Sequence, residues 1–113
     1  MNVLSLFDGI SGAAQALKNL NIIPKRYITS EIDTYATTVS MKHFPDMFRV
    51  GDIANIKHPE VMTGKIDLMI WGSPCQDLSI AKKDRKGLDG ERSGLFWKAL
   101  EIWKIVQPRL LLE

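Results

Sequence analysis

Cysteine is nearly missing from this chain. Among 113 residues there is one, Cys75, so no disulfide can close within the chain, and with only His43 and His58 beside it a zinc cluster lacks ligands. Long apolar runs are missing as well: none approaches the roughly 18 residues of a membrane span. The amino terminus shows neither the basic region nor the small-residue cleavage site of a signal peptide. These scarcities predict a protein of a reducing cytoplasm, with no membrane partner and no bound metal. Charge of one sign is also scarce, and a net charge of +2 is too small to argue for nucleic acid without local evidence. What remains, at 45% hydrophobic content, is enough apolar material for one domain with one core.

The single thiol stands at a marked place. Ile66-Asp67-Leu68-Met69-Ile70-Trp71 is a near-continuous apolar run suited to a strand buried on both faces, and Gly72 and Pro74 end it abruptly. A thiol on such a turn can be exposed at the carboxyl edge of a sheet, where open α/β sheets bind ligands. A lone cysteine is more often an inert buried hydrophobe, so its surroundings have to decide between the two.

From the start of the chain, Asn2 to Phe7 reads as a buried strand, and Asp8-Gly9-Ile10-Ser11-Gly12 as a tight turn. Ser11 or Gly12 then caps a helix with an apolar stripe of Ala13, Ala16, Leu17 and Leu20. Backbone N–H groups at such a helix start suit an anionic or polar ligand, although two glycines alone are often only a turn. Arg26 to Ser30 supplies a second strand, and Glu31 follows it 19 residues after Gly12. Nucleotide-binding α/β folds place a ribose-binding acid at about this distance, roughly 20 residues on. Asp33 reads as the cap of the next helix, Thr34 to Phe44. The full G-x-G-x-x-G pattern is missing, which favours an adenosine-containing ligand other than a nicotinamide or flavin. Met47 to Val50 reads as a third strand, ending in Gly51-Asp52-Ile53, and residues 54 to 65 as irregular with a short helical turn.

Beyond the cysteine turn, Gln76 to Ser93 has no sustained periodicity. It carries Lys82, Lys83, Arg85, Lys86 and Arg92 against four acids, so it reads either as a phosphate-contacting lid or as a solvated loop. From Gly94 the pattern is helical, with Phe96, Ala99, Leu100, Trp103 and Val106 as the buried face, and Arg109 to Glu113 begins a fifth strand. The alternation predicts an α/β, doubly wound, mainly parallel sheet whose strand ends gather Asp8, Gly9, Glu31, Asp52, Cys75 and Glu113 at one edge. With strands four and five adjacent, about 4.8 Å apart, Cys75 and Glu113 could flank one small substrate.

These residues resemble the DNA (cytosine-5) methyltransferases across essentially the whole chain. Leu6-Phe7-Asp8-Gly9-Ile10-Ser11-Gly12 looks like the first family motif, Glu31 and Gly51-Asp52-Ile53 like the second and third, and Gly72-Ser73-Pro74-Cys75-Gln76 like the Pro-Cys signature. Ser93-Gly94-Leu95-Phe96 looks like the fifth, and Leu111-Leu112-Glu113 like the start of a Glu-Asn-Val motif. The resemblance implies a Rossmann-like methyltransferase fold, S-adenosylmethionine as methyl donor, and double-stranded DNA containing a target cytosine as partner. It makes Cys75 the nucleophile on cytosine carbon 6 and Glu113 the acid near ring nitrogen 3. The backbone of Phe7, Asp8, Gly9 and Ile10 would hold the methionine part, Glu31 the ribose, Ile32 the adenine face and Asp52 the adenine amino group. Gly12, Ile53, Pro74 and Leu95 would complete that pocket. Ser73, Gln76, Ser79, Lys82, Lys83, Arg85, Lys86 and Arg92 would face the nucleic acid. A bacterial or phage-encoded enzyme of DNA methylation or restriction-modification fits this pattern.

Against the family pattern, the chain stops at Glu113, before Asn-Val, the Arg-x-Arg motif and the target-recognition region. The expectation is an amino-terminal part of the catalytic domain, its sheet incomplete at the C-terminus and the chain inactive alone. Its open strand edge would favour self-association or pairing with the missing part. Two other readings share these residues: a relative acting on transfer RNA, and a non-catalytic S-adenosylmethionine- or DNA-binding module.

Overall fold

Apolar residues at successive positions of β1 (Asn2–Leu6) and β4 (Leu68–Trp71) require cover on both faces of the sheet, and the fold supplies it. The computed structural model describes residues 1–72 and 91–113, with side chains from residue 94 onward in the second stretch. Five strands, completed by β2 (Arg26–Ser30), β3 (Phe48–Gly51) and β5 (Leu110–Leu112), lie in the order β3-β2-β1-β4-β5, with all four pairings parallel. The order reverses direction at β1, which puts the crevice between β1 and β4 at a topological switch point.

Among the described residues, three helices cover the faces. On one side α3 (Glu91–Val106) and two 3-10 turns, Ile53–Asn55 and Pro59–Met62, pack on the sheet. Ala99, Ile102 and Val106 there meet Leu4, Leu6, Ile28, Met69 and Trp71. On the other side Ala14 and Leu17 of α1 (Gly12–Asn19) pack with Val3 and Tyr27, and α2 (Thr34–His43) lies alongside through Ser40. The strand alternation explains the split: Leu4 and Leu6 point to the α3 face, Val3 to the α1 face. No helix among the described residues is long and apolar enough to cross a membrane.

The structure corrects three details. In α1 the buried stripe is Ala14 and Leu17, while Ala16 and Leu20 are exposed. A short helix offers two overlapping stripes, and the one that meets Val3 and Tyr27 wins. Helix α3 begins at Glu91, not Gly94, so Arg92 belongs to its first turn and not to a loop. Its fully buried face is Ala99, Ile102 and Val106; Phe96, Leu100 and Trp103 are only partly buried around it.

The amino-terminal edge of the sheet is tied by Asp67. Its carboxylate accepts from Asn2 N at 2.7 Å, its N–H donates to Asn2 O at 2.9 Å, and its carbonyl accepts from Leu110 N at 2.9 Å. One residue thus sets the relative heights of β1, β4 and β5, so their opposite ends reach a common rim.

Candidate functional site

The parallel registers define that rim. Leu6 pairs with Ser30 and Trp71, Ser30 with Gly51, and Ile70 with Leu112. The residues that follow are Phe7, Glu31, Asp52, Gly72 and Glu113, so four of the predicted acids and turn residues and the residue leading into the cysteine turn share one edge. Cys75, Ser73, Pro74, Gln76, Ser79, Lys82, Lys83, Arg85 and Lys86 lie outside the described residues, as does the side chain of Arg92.

Among the described residues of the rim, the turn after β1 holds the most positive-φ positions. Phe7, Gly9 and Ser11 all have positive φ, at 55°, 62° and 69°. Only glycine adopts that region freely, so two of the three positions carry strain of roughly 1–3 kcal/mol each. A Cβ added at Gly9 would meet nothing within 4 Å, although the φ there would still disfavour a side chain. The backbone at this point therefore borders open space. Asp8 N donates to Ser30 O and Ser11 N to Asp8 O, both at 3.1 Å, which pins the turn to β2.

Glu31 clamps it from above. Its Oε1 accepts from Gly9 N at 2.7 Å, and its Oε2 from Ile32 N and Asp33 N at 3.1 and 3.0 Å. The carboxylate thus joins the β1 turn to the β2 end before any ligand is present. Ile10 and Ile32 stand beside it, each 59% exposed, and Tyr35 is 80% exposed. Apolar side chains held out at a strand edge are suited to covering a flat aromatic ring. Asp33 accepts from Ala36 N at 3.0 Å and caps α2.

Asp52 reaches the rim through a bulge. The β2–β3 register skips Val50, passing from the Thr29–Arg49 pair to the Ser30–Gly51 pair, and Gly51 takes φ 74°. The carbonyls exposed by the bulge are satisfied locally: Asn55 Nδ2 donates to Val50 O at 2.6 Å and Ser30 Oγ to Gly51 O at 2.9 Å. Asp52 then caps the following 3-10 turn with one oxygen, Oδ1 accepting from Ala54 N at 2.9 Å, and is exposed. Its neighbour Ile53 is 3% exposed and turned into the core, and Leu95 packs half-buried against the same core. Ile53 therefore has no exposed side chain to offer at the rim. Glu113 is exposed at the end of β5.

The polar cluster beneath the turn has no counterpart in the sequence reading. Asp8 spends its carboxylate inward, accepting from Ser5 Oγ at 2.6 Å and Tyr27 Oη at 2.9 Å on Oδ1, and from Ser11 Oγ on Oδ2. Its backbone N–H and carbonyl are engaged as well, with Ser30 O and Ser11 N. Burial, and then the Asp8 charge, pushes the Tyr27 phenol well above its ordinary range. The available signal was the alternation itself, since Ser5, Tyr27 and Thr29 put polar atoms at inward positions of otherwise apolar strands. A groove of about 740 Å³ opens beside the starts of β2 and β3, lined by residues such as Ile22, Phe44 and Met47. His58, exposed, pairs with Glu60 at 3.1 Å and is not brought to the strand ends.

Comparison with known proteins adds to this geometry. The family model for C-5 cytosine-specific DNA methylase matches residues 1–113. The chain is 33% identical over 111 residues to "Orphan methyltransferase M.SPRI" of Bacillus phage SPR, covering 96% of this chain and 25% of that protein. It is 38% identical over 122 positions to "DNA (cytosine-5)-methyltransferase DRM2" of Oryza sativa subsp. japonica, covering 97% of this chain and 20% of that protein. The chain therefore spans a quarter or less of the length of these relatives.

Proposed function

The chain belongs to the C-5 cytosine-specific DNA methylase family, and on that premise we propose that it carries the methyl-donor site and the nucleophile of a DNA cytosine-5 methyltransferase. The observation that carries the proposal is the common rim, where the Gly9 backbone, Glu31 and Asp52 stand on adjacent strand ends and Gly72 leads into Pro74-Cys75.

The residues present fit S-adenosylmethionine. The open backbone at Gly9 gives room for the methionine part, Glu31 sits where it can accept from ribose hydroxyls, Ile32 can cover the adenine, and Asp52 has one carboxylate oxygen free of hydrogen bonds among the described residues. When bound, this group supplies an electrophilic methyl on a sulfonium centre.

The chain's own groups act on the base. The target cytosine must leave the stack, because its reacting carbons cannot be reached inside a duplex. The Cys75 thiolate adds to carbon 6, forming a carbon–sulfur bond and raising electron density at carbon 5. Glu113 shares a proton with ring nitrogen 3, which offsets the negative charge the addition creates. Carbon 5 would use that electron pair to form its bond to the methyl carbon; loss of the carbon 5 proton then returns an electron pair to the ring, and the carbon–sulfur bond breaks to free the thiolate. Lys82, Lys83, Arg85, Lys86 and Arg92 supply cations for DNA phosphates, and Ser73, Gln76 and Ser79 flank the thiol. The leucines of β5, with Leu110 55% and Leu112 59% exposed, provide an apolar edge for the rest of a catalytic domain; a chain lacking that cover would self-associate there.

Titration calorimetry with S-adenosylmethionine tests the donor site. Binding is expected, weakened about tenfold or more by Asp52→Ala, which removes a hydrogen bond to the adenine. A chain that folds and does not bind S-adenosylmethionine overturns the proposal.

A further inference from the structure

Beneath the Phe7–Gly12 turn, a row of polar side chains runs from β3 to β1, and the chemistry proposed above uses none of it. Arg49, on β3, donates from one nitrogen to Ser40 Oγ at 2.9 Å and from another to the Phe44 carbonyl at 2.6 Å. Ser40, on α2, bonds to Ser11 Oγ, and Ser11 to Asp8 Oδ2. Ser11 and Ser40 are 0% and 1% exposed, so water does not substitute for these partners. The Met47 sulfur lies beside both hydroxyls, 3.6 Å from Ser11 Oγ and 3.9 Å from Ser40 Oγ.

Counting protons gives the row a direction. A guanidinium can only donate, a carboxylate can only accept, and each serine has one proton. Arg49 donates to Ser40, so Ser40 donates to Ser11, and Ser11 donates to Asp8. The two hydroxyls therefore relay an ion pair whose charged ends sit on β3 and in the turn after β1. Charge-assisted bonds at both ends and mutual polarisation between them make each link stronger than an isolated hydroxyl pair.

Ser11 shows what the relay displaces. It occupies the cap position of α1, yet its side chain makes no capping bond and its backbone is left-handed. A serine there ordinarily turns its oxygen back to the helix. Here it turns sideways instead, and the strained turn persists because Asp8 is held from below through the relay while Glu31 holds Gly9 from above.

We propose that Arg49, Ser40 and Ser11 are positioning residues that hold the Phe7–Gly12 turn in its ligand-binding shape by relaying the Arg49 charge to Asp8. The link to a ligand rests on the donor-site reading above; the link to the turn's shape does not.

Two measurements on the full chain separate these. Amide hydrogen exchange, with no ligand present, is compared for wild type, Ser40→Ala and Arg49→Lys. Protection of the Asp8 and Ser11 amides is expected to fall about tenfold in both variants, as loss of one buried hydrogen bond implies, with Leu4 and Leu6 amides within about twofold. Ser40→Thr, which keeps the hydroxyl, restores protection. Unchanged exchange in the turn, or an equal loss along all of β1, overturns the relay. In calorimetry, Ser40→Ala raises the S-adenosylmethionine Kd about tenfold, the same loss read through binding. Wild-type binding with an unchanged Kd in Ser40→Ala overturns the positioning role. Wild type failing to bind while the exchange pattern holds refutes the donor-site reading and leaves the relay standing.

Discussion

Replacing Tyr27 by Phe removes one hydroxyl and changes stability in opposite directions at neutral and alkaline pH. Tyr27 is 8% exposed, and its Oη donates to Asp8 Oδ1 at 2.9 Å. At pH 7 the phenylalanine keeps the ring packing and loses a hydrogen bond to a charged group, ordinarily about 1.5–3 kcal/mol. Ser5 and Ser11 still donate to Asp8, so the carboxylate is not stranded and the lower end applies, about 1.5 kcal/mol. At high pH the sign reverses. Burial, then the Asp8 charge, raises the folded phenol above its unfolded value of about 10. Above that pH the unfolded chain has released the proton and the folded chain has not, so stability falls with pH by up to about 1.4 kcal/mol per unit. The contribution is complete below about pH 10 and is lost on the way up to the folded value. The variant has no such group, so its stability curve is flatter and the two curves cross near about pH 11. Urea denaturation of both proteins from pH 7 to above the crossing, followed by tryptophan fluorescence, measures this. A difference that stays constant across the range would show that the phenol ionises equally in both states, and would refute the reasoning.

Four further outcomes follow from the same structure. Glu31→Gln leaves one oxygen for donors on both sides, so either Gly9 N or the Ile32 and Asp33 N–H pair faces an amide N–H; a stability loss of about 1–2 kcal/mol and weaker S-adenosylmethionine binding are expected. Unchanged urea midpoint and Kd would contradict it. Asp33→Ala removes the α2 cap and should cost about 1 kcal/mol in the same denaturation assay without altering the Arg49 relay, while Asp33→Asn should recover most of the loss. Leu112→Lys places a charge on the exposed edge of β5, and sedimentation velocity should show less self-association than wild type. In a methylation-competent full-length protein, Cys75→Ser should abolish the denaturant-resistant complex with DNA carrying 5-fluorocytosine, since the fluorine blocks the elimination that frees the thiolate; persistence of that complex would exclude Cys75 as the nucleophile.

The sequence alone determined which segments become strands and what lies just past them. β1 and β4 read as largely apolar runs, and the residues that stop the strands, Asp8-Gly9, Glu31, Gly51-Asp52 and Gly72, are legible as punctuation because each stop is a local conformational demand. Cap chemistry was legible at Asp33 for the same reason, as its bond to Ala36 spans only three residues. Tertiary structure decided the rest. The choice of Ala14 over Ala16 on α1 depends on what Val3 and Tyr27 present from other strands, and the bulge that skips Val50 depends on pairing between β2 and β3. The relay from Arg49 to Asp8 joins residues 41 positions apart through two serines on different helical segments, and no single window of sequence contains it. A serine's preferred partner is set by whatever acceptor lies within hydrogen-bond reach once the chain has packed, so its role in holding the turn existed only after the sheet brought β1, β2 and β3 side by side.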